Sequence, residues 1–455
     1  MKKASKTPAL LTDLYELTMT QAYFREGMKG EATFSLFVRR EPEDRGYMVA
    51  AGMEDAADFL ASFRFTAEEI DHLGSLDRFS PDFLAHLADL RFSGAAWAMR
   101  EGRVCFPEEP LLEVTAPVIE AQLVETAVLN TLSLQTTLAT KAARCVEAAR
   151  GRALVDFSLR RAQGEDAGMQ AARTGYLAGF DATSNVAAGM EYGIPVSGTL
   201  AHSFIMCFER EEEGLRAFAR SFPDGTILLI DTYDTLAGAR TAVKIADELE
   251  RNGHRLRGVR LDSGDMAEQS KGVRRILDEA GHGEVKIFAS GGFDEYKIGR
   301  VLARGAPIDG FGVGTKWGVS ADAPYLDSAY KLVEYGGRQV LKFSSSKRTL
   351  VSPKQVFRVA GEDGPAGDII GLRGEKREHP ALLEPLVEEG RRLREPVPLE
   401  EARSACTAEI ASLPGECRRL RDPGEYPVRI SRPLRELQEE TAERVAKLQE
   451  KDMEA

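Results

Sequence analysis

Between residues 151 and 320, six short runs rich in Val, Ile and Leu alternate with helical segments, and this constrains the fold more than any other feature of the chain. The runs are ALVDFSLR, VSGTLAHS, TILLIDT, LRGVRLDSGD, VKIFASGG and IDGFGVGT. The helical segments include EGLRAFARSF, LAGARTAVKIADELERNG, KGVRRILDEAG and DEYKIGRVLARG. Alternation of this kind predicts a parallel sheet with right-handed crossovers. Six strands point to a barrel rather than an open sheet, and in barrels the site lies at the strand C-termini. Each run here exits into a polar or glycine residue: Arg160, His202, Asp231, Asp262, Ser290 and Gly312.

The 455 residues suffice for two or three domains, or for one large barrel with additions. No stretch of 18 apolar residues is present, and MKKASKTPALLTDLYEL meets Asp13 and Glu16 before any secretory apolar run can form. The expectation is a cytoplasmic protein with no membrane partner. The five cysteines are scattered and never spaced as CxxC, which argues against a disulfide framework or a thiolate metal site. A net charge of −12 argues against a nucleic-acid partner, so arginines at a site would be specific features rather than part of a basic coat.

Outside the alternating region, Thr12 is expected to cap a helix, ATFSLFV reads as a strand, and Ser80-Pro81 opens another helix. Val118 to Arg150 reads as one long helix or two in succession. KLVEYGGRQVLKFS reads as a hairpin across Gly336-Gly337, with QVFRV and GDIIGLR as further strands and a charged helical run at the end. The expected division is a mixed α+β segment over 1–117, a barrel over 118–330, and 331–455 completing the first segment and adding a helical tail.

Chemistry concentrates in FSLRRAQG, GFDATSN and SGTLAHSF. Arg160 and Arg161 leave the first strand as planar, permanently charged forks suited to carboxylate or phosphate. A strand from Val196 to Ala201 would deliver Thr199, His202 and Ser203 to the same rim, a grouping suited to an anionic substrate. GFGVGT lacks the GxGxxG spacing of a dinucleotide fold, and no GK[ST] occurs. Its glycines, with those of ASGG, would instead let backbone N–H groups approach a phosphate; the competing reading is a pair of tight turns. In LDSGD, Asp265 suits a helix N-cap, leaving Asp262 for ribose hydroxyls or a magnesium shell.

Taken in order, LLTDLYELTM, FSLRRAQG, GFDATSN, SGTLAHSF, RLDSGD, SGG and GFGVGT resemble the nicotinate phosphoribosyltransferase family across most of residues 10–360. The resemblance implies the irregular, TIM-like α/β barrel of type II phosphoribosyltransferases, plus a mixed α+β domain built from both chain termini. It implies a homodimer with a site shared between subunits. The reaction implied joins nicotinate to phosphoribosyl pyrophosphate, giving nicotinate mononucleotide and pyrophosphate, with coupled ATP hydrolysis and Mg2+. By the same resemblance His202 is transiently phosphorylated, and Phe157 sandwiches the pyridine ring with Tyr15 of the partner subunit; core packing is the competing reading for both aromatics. Arg260 would meet the nicotinate carboxylate, with Arg160 and Arg161 near carboxylate or pyrophosphate. Asp262 would hold the ribose hydroxyls beside Ser263. Ser290, Gly291, Gly292, Gly312, Gly314 and Thr315 would surround the 5′-phosphate. Ser184 or Asn185 stands where nicotinamide-using relatives carry an aspartate, and the lack of a carboxylate there favours the acid.

The chain departs from the family at FSSSKRTLVSPKQVFR, where Ser352-Pro353 replaces Pro-Gly before Lys354, and Lys354 receives no role. Three alternatives stay open: a nicotinamide-using enzyme, a non-catalytic phosphosugar-binding barrel, and an aldolase or isomerase using a Schiff-base lysine. Lys316 is the one lysine near a strand exit that would serve the last.

Overall fold

In three successive loops, IDTYD, LDSGD and SGGFD, the closing aspartate accepts a backbone N–H from the first turn of the helix that follows. Asp234 caps Thr235–Arg251 through the N–H of Ala237 at 2.7 Å, Asp265 caps Met266–Glu279 through that of Ala267 at 3.1 Å, and Asp294 caps Glu295–Ala303 through that of Lys297 at 2.7 Å. Each cap satisfies a helix-end donor that has no intrahelical partner. The aspartate or serine that opens each loop is thereby left at a strand end, free for other work.

These loops belong to the unit Leu138–Pro324; the chain's other unit comprises Met1–Thr137 and Tyr325–Ala455. The computed structural model describes residues 8–342, 349–362 and 364–454. The opening MKKASKT, and residues 343–348 of the segment that departs from the family, lie outside them.

Within Leu138–Pro324 a six-stranded parallel sheet runs in the order Ala182–Thr183, Ala153–Asp156, Gly310–Val313, Lys286–Ala289, Gly258–Leu261 and Ile227–Leu229. This is the cyclic order of a barrel, interrupted by one gap between Thr183 and Ile227, so the α/β architecture is a curled parallel sheet rather than a closed ring. The helices carry the apolar stripes that cover it; Thr235–Arg251, for example, buries Ala239, Ala242, Ile245, Ala246 and Leu249.

Five of the six expected strands are present. The sixth, Val196 to Ala201, is not a strand. Val196 makes one parallel bridge to Thr183, with Ser197 N–H donating to the Thr183 carbonyl at 2.9 Å, after which the chain leaves the sheet and His202 begins the helix His202–Met206. Pro195 has no N–H to give a ladder, and Gly198 follows two residues after the bridge, so this segment lacks what a strand needs to continue. The strand beside the gap is instead the two-residue Ala182–Thr183, too short to show in the hydrophobic pattern.

The other unit is built on a seven-stranded antiparallel sheet in which Glu31–Val38 is an interior strand, paired on one side with Ser328–Tyr335 and on the other with the central strand Pro110–Pro117. Buried on both faces, Glu31–Val38 does not alternate; every residue after Glu31 is buried. Gly336 and Gly337, at φ +58° and +74°, close the expected hairpin between Ser328–Tyr335 and Arg338–Gln339. Lys354–Gly361 and Gly364–Leu372 pair antiparallel as read. The helix expected after Thr12 is Leu14–Arg25, with Asp13 at its N-cap position. Val118–Leu123 and Glu125–Ala149 are two helices in succession. Val118, Leu123, Val128 and Leu132 join this unit's core, which moves the division from 117 to Thr137, inside the long helix. Among the described residues no helix is long and apolar enough to cross a membrane.

Candidate active site

The strand exits of the Leu138–Pro324 unit surround a cavity of about 400 Å³ lined by Phe157, Leu159, Arg160, Ser184, Gly198, Thr199, Leu200, Ala201, His202, Arg260 and Asp262. Seven of the residues singled out from the sequence therefore meet at one place, although they come from four separate segments.

Phe157 follows the Ala153–Asp156 strand and continues its ladder through its N–H, which donates to the Val313 carbonyl at 2.7 Å. Its ring lies across Gly312, where an added Cβ would sit 2.5 Å from a ring atom; the glycine makes room for the aromatic face. Arg260, from Gly258–Leu261, holds its guanidinium 6.0 Å from that ring's centre and donates from Nη1 to the Thr199 hydroxyl. The Arg260 Nε is buried without a hydrogen-bond partner. Burial pushes the Arg260 pKa down; Asp262 and Asp231 oppose the shift, while Arg160 adds to it. A half-desolvated cation with an unused donor and a second arginine nearby favours an anion in the cavity.

Asp262 accepts the Ser290 hydroxyl at 2.5 Å, which ties the LDSGD loop to the SGGFD loop. Gly291 is required where the two touch: at φ +92°, a Cβ there would meet the Asp262 carbonyl at 2.0 Å. Asp231 organises the same loop from beneath, a role the sequence reading did not give it. Its Oδ2 accepts the N–H groups of Asp262 and Ser263 at 2.7 and 2.8 Å and the Ser263 hydroxyl at 2.8 Å. Its Oδ1, buried and without a hydrogen bond, faces His202 Nε2 at 4.0 Å. His202 is partly exposed, and its Nδ1 lies 3.1 Å from the Thr232 hydroxyl. The signal for Asp231 was available: it stands first after TILLI, as Asp262 stands first after VRL.

Other expected residues lie elsewhere. Asn185 is buried; its side chain caps Val186–Tyr192 through the Ala188 N–H at 3.1 Å and donates to the Gly168 carbonyl at 3.2 Å, so of the pair only Ser184 lines the cavity. Arg161 and Ser203 are exposed and outside the lining, because the turn Leu159–Arg161 and the helix His202–Met206 point successive residues in different directions. Gly292 is exposed beside Gly291, Gly314 ends the last strand's turn, and Thr315 is exposed at the head of a one-turn helix. Tyr15 belongs to the other unit, on Leu14–Arg25; it is 47% exposed, and burial of part of its ring with Glu125 nearby pushes its hydroxyl pKa up. Lys354 is also in that unit, buried and paired with Glu113 at 2.9 Å. Lys316 is paired with Asp294 at 2.9 Å and lies outside the cavity lining, which leaves the Schiff-base reading without a lysine in the cavity.

Comparison with known proteins covers nearly the whole chain. Three family models match in succession: the nicotinate phosphoribosyltransferase N-terminal domain over residues 10–133, the nicotinate phosphoribosyltransferase family over 152–335, and the C-terminal domain over 375–438. The nicotinate phosphoribosyltransferase pncB2 of Mycobacterium tuberculosis is 51% identical over 425 residues, covering 93% of this chain and 91% of its own length. The nicotinate phosphoribosyltransferase of Bacillus subtilis is 40% identical over 380 residues, covering 81% and 77%. The crystal structure of human nicotinic acid phosphoribosyltransferase superposes with a TM-score of 0.85 at 30% identity, over 94% of this chain and 99% of that one.

Proposed function

The chain belongs to the nicotinate phosphoribosyltransferase family and is an enzyme of pyridine nucleotide biosynthesis that makes nicotinate mononucleotide; from that premise we propose how its own residues carry the reaction. The observation that carries the proposal is the meeting of Phe157, Arg260, Thr199, Ser184, His202 and Asp262 around one cavity.

The pyridine ring lies on Phe157, and its carboxylate pairs with Arg260, whose Nε has no other partner. The lining opposes two arginines to one aspartate and offers Ser184 where a carboxylate would select an amide, so nicotinate is preferred to nicotinamide. In the transfer step, the bond from the ribose anomeric carbon to pyrophosphate breaks with its electron pair leaving on oxygen. The pyridine nitrogen lone pair forms the new bond through a cation-like state. Asp262, aimed by Ser290 and by Asp231 beneath its loop, holds the ribose hydroxyls and places the carbon against the ring. The turns at Gly291-Gly292 and Gly312 to Thr315 take the 5′-phosphate on backbone N–H groups. Arg160 and Arg161 stand on the pyrophosphate side.

For Mg2+ the donor set fits: Asp231 has a buried carboxylate oxygen without a hydrogen bond, and Asp262 stands on the loop above it. When bound there, the cation neutralises charge on the departing pyrophosphate. ATP is taken as a co-substrate acting through His202. With its proton on Nδ1 and donated to Thr232, the imidazole presents the Nε2 lone pair to the γ-phosphorus, and the bond to ADP breaks as N–P forms. The same proposal takes the enzyme to work in the cytoplasm as a homodimer, with Tyr15 of the partner subunit covering the second face of the ring.

The test is mononucleotide formation from phosphoribosyl pyrophosphate and Mg2+ with nicotinate or nicotinamide, each with and without ATP. Product from nicotinate that rises with ATP is expected; product from nicotinamide alone would overturn the reading of Ser184. His202→Ala should abolish stimulation by ATP while leaving a slow basal transfer, and intact stimulation in that variant would remove His202 from the ATP step.

A further inference from the structure

Beside the Gly291-Gly292 turn stands a lysine that neither the sequence motifs nor the cavity lining singles out. Lys297 lies in the first turn of Glu295–Ala303, and its Nζ donates to the Gly291 carbonyl at 2.5 Å while resting 4.4 Å from the centre of the Phe293 ring. Among the described residues no carboxylate forms an ion pair with it. Asp294, the nearest carboxylate in sequence, spends one oxygen on the Lys297 backbone N–H at 2.7 Å and the other on Lys316 Nζ at 2.9 Å. An ammonium has three N–H donors, and here one goes to a neutral carbonyl. The turn it braces has both glycines at positive φ, and the space where a Gly292 side chain would point is open for 4 Å.

The electrostatics agree with this geometry. Burial lowers the Lys297 pKa, Lys316 lowers it further, and Asp294 and Asp262 oppose both. Lys297, Lys316 and Arg300 against Asp294 and Asp262 leave a net positive charge at the turn. An anion seated on the glycine N–H groups would relieve the repulsion between the two ammonium groups and engage donors that nothing else takes up.

We propose that Lys297 is a binding residue for the terminal phosphate of the phosphosugar, held toward the glycine turn by the Gly291 carbonyl. This rests on the assignment of that turn to the 5′-phosphate made above. The competing role is that of a brace which merely fixes the turn, and glutamine separates the two: Lys297→Gln keeps a donor for the Gly291 carbonyl but removes the charge. Affinities of the full-length enzyme for nicotinate mononucleotide and for nicotinate riboside, which lacks the phosphate, are measured by calorimetry. In the wild type the mononucleotide should bind more tightly; if it does not, the phosphate assignment of the turn fails, and the role of Lys297 with it. Given that preference, Lys297→Gln should weaken the mononucleotide about 10-fold, the scale of one charge-assisted contact, and leave the riboside within about 2-fold. Lys297→Arg should retain the preference. A glutamine variant that keeps the wild-type preference, one that weakens both ligands equally, or an arginine variant as impaired as the glutamine one would each overturn the proposal.

Discussion

Removing the Asp231 carboxylate tests whether the site is held from beneath or only from its rim. One oxygen of Asp231 accepts three hydrogen bonds from the Asp262–Ser263 segment at 2.7, 2.8 and 2.8 Å. Hydrogen bonds to a charged acceptor contribute about 1.5–3 kcal/mol when buried; with Asp262 and Ser263 partly facing solvent, about 1 kcal/mol each is the working figure, or about 3 kcal/mol for the set. In Asp231→Ala the Asp262 loop is released, and if 2–3 kcal/mol of that positioning is lost in the transition state, kcat/KM for phosphoribosyl pyrophosphate falls about 30- to 150-fold. Asp231→Asn keeps an acceptor for the loop and an oxygen for Mg2+ while removing the charge, so at saturating Mg2+ and without ATP it should stay within about 5-fold of the wild type. Steady-state rates of mononucleotide formation at saturating nicotinate give both values. An alanine variant within about 3-fold of the wild type, or one indistinguishable from the asparagine variant, would refute the claim that Asp231 acts by fixing the loop.

Gly312→Ala places a methyl group 2.5 Å from the Phe157 ring and must displace it, so KM for nicotinate should rise about 3- to 10-fold, and KM for phosphoribosyl pyrophosphate by less, since alanine keeps the backbone N–H assigned to the phosphate. Two-substrate kinetics check this, and an unaltered nicotinate KM would detach Phe157 from the ring site. In the other unit, burial raises the Glu16 pKa to about 7 against the hydrogen bonds from Thr12 and Thr126. The folded state therefore holds a proton that the unfolded state gives up from about pH 4.5, so stability is lost as the pH rises from there to about 7. Glu16→Gln removes that loss: its advantage over the wild type should be small near pH 4.5 and grow to the order of 2 kcal/mol above pH 7. Urea midpoints at the two pH values decide, and a pH-independent difference would contradict the burial argument.

Residues whose role depends on type and order were legible in the sequence, whereas those whose role depends on direction were not. Asp262 and Asp265 illustrate the first. Both lie in LDSGD, and the rule that an aspartate heading a helix caps it assigned Asp265 to the helix and left Asp262 for the site, which is how the hydrogen bonds fall. Ser184 and Asn185 illustrate the second. They are adjacent and polar, and only the start of Val186–Tyr192 turns Asn185 inward to cap it while Ser184 faces the cavity. Asp231 could be read as a strand exit, but not as the support of the next loop, because its partners lie 31 and 32 residues away in sequence and two of them are backbone N–H groups, which no motif records.

The misread strand explains more than it obscures. Had Val196 to Ala201 completed the ring as a sixth full strand, its residues would have alternated between the sheet's two faces, and Thr199, Leu200 and Ala201 could not all line one cavity. Because Pro195 and Gly198 stop the ladder after a single bridge, the chain crosses the gap as a loop and brings Thr199 onto Arg260. The same loop sets His202 at a helix start 4.0 Å from Asp231, which exits the strand on the far side of the gap. The open position in the sheet is thus what joins the two halves of the proposed chemistry. Thr199, which engages the arginine proposed to hold the pyridine acid, and His202, the imidazole proposed to take phosphate from ATP, lie three positions apart on a segment that a closed barrel would have committed to the ladder.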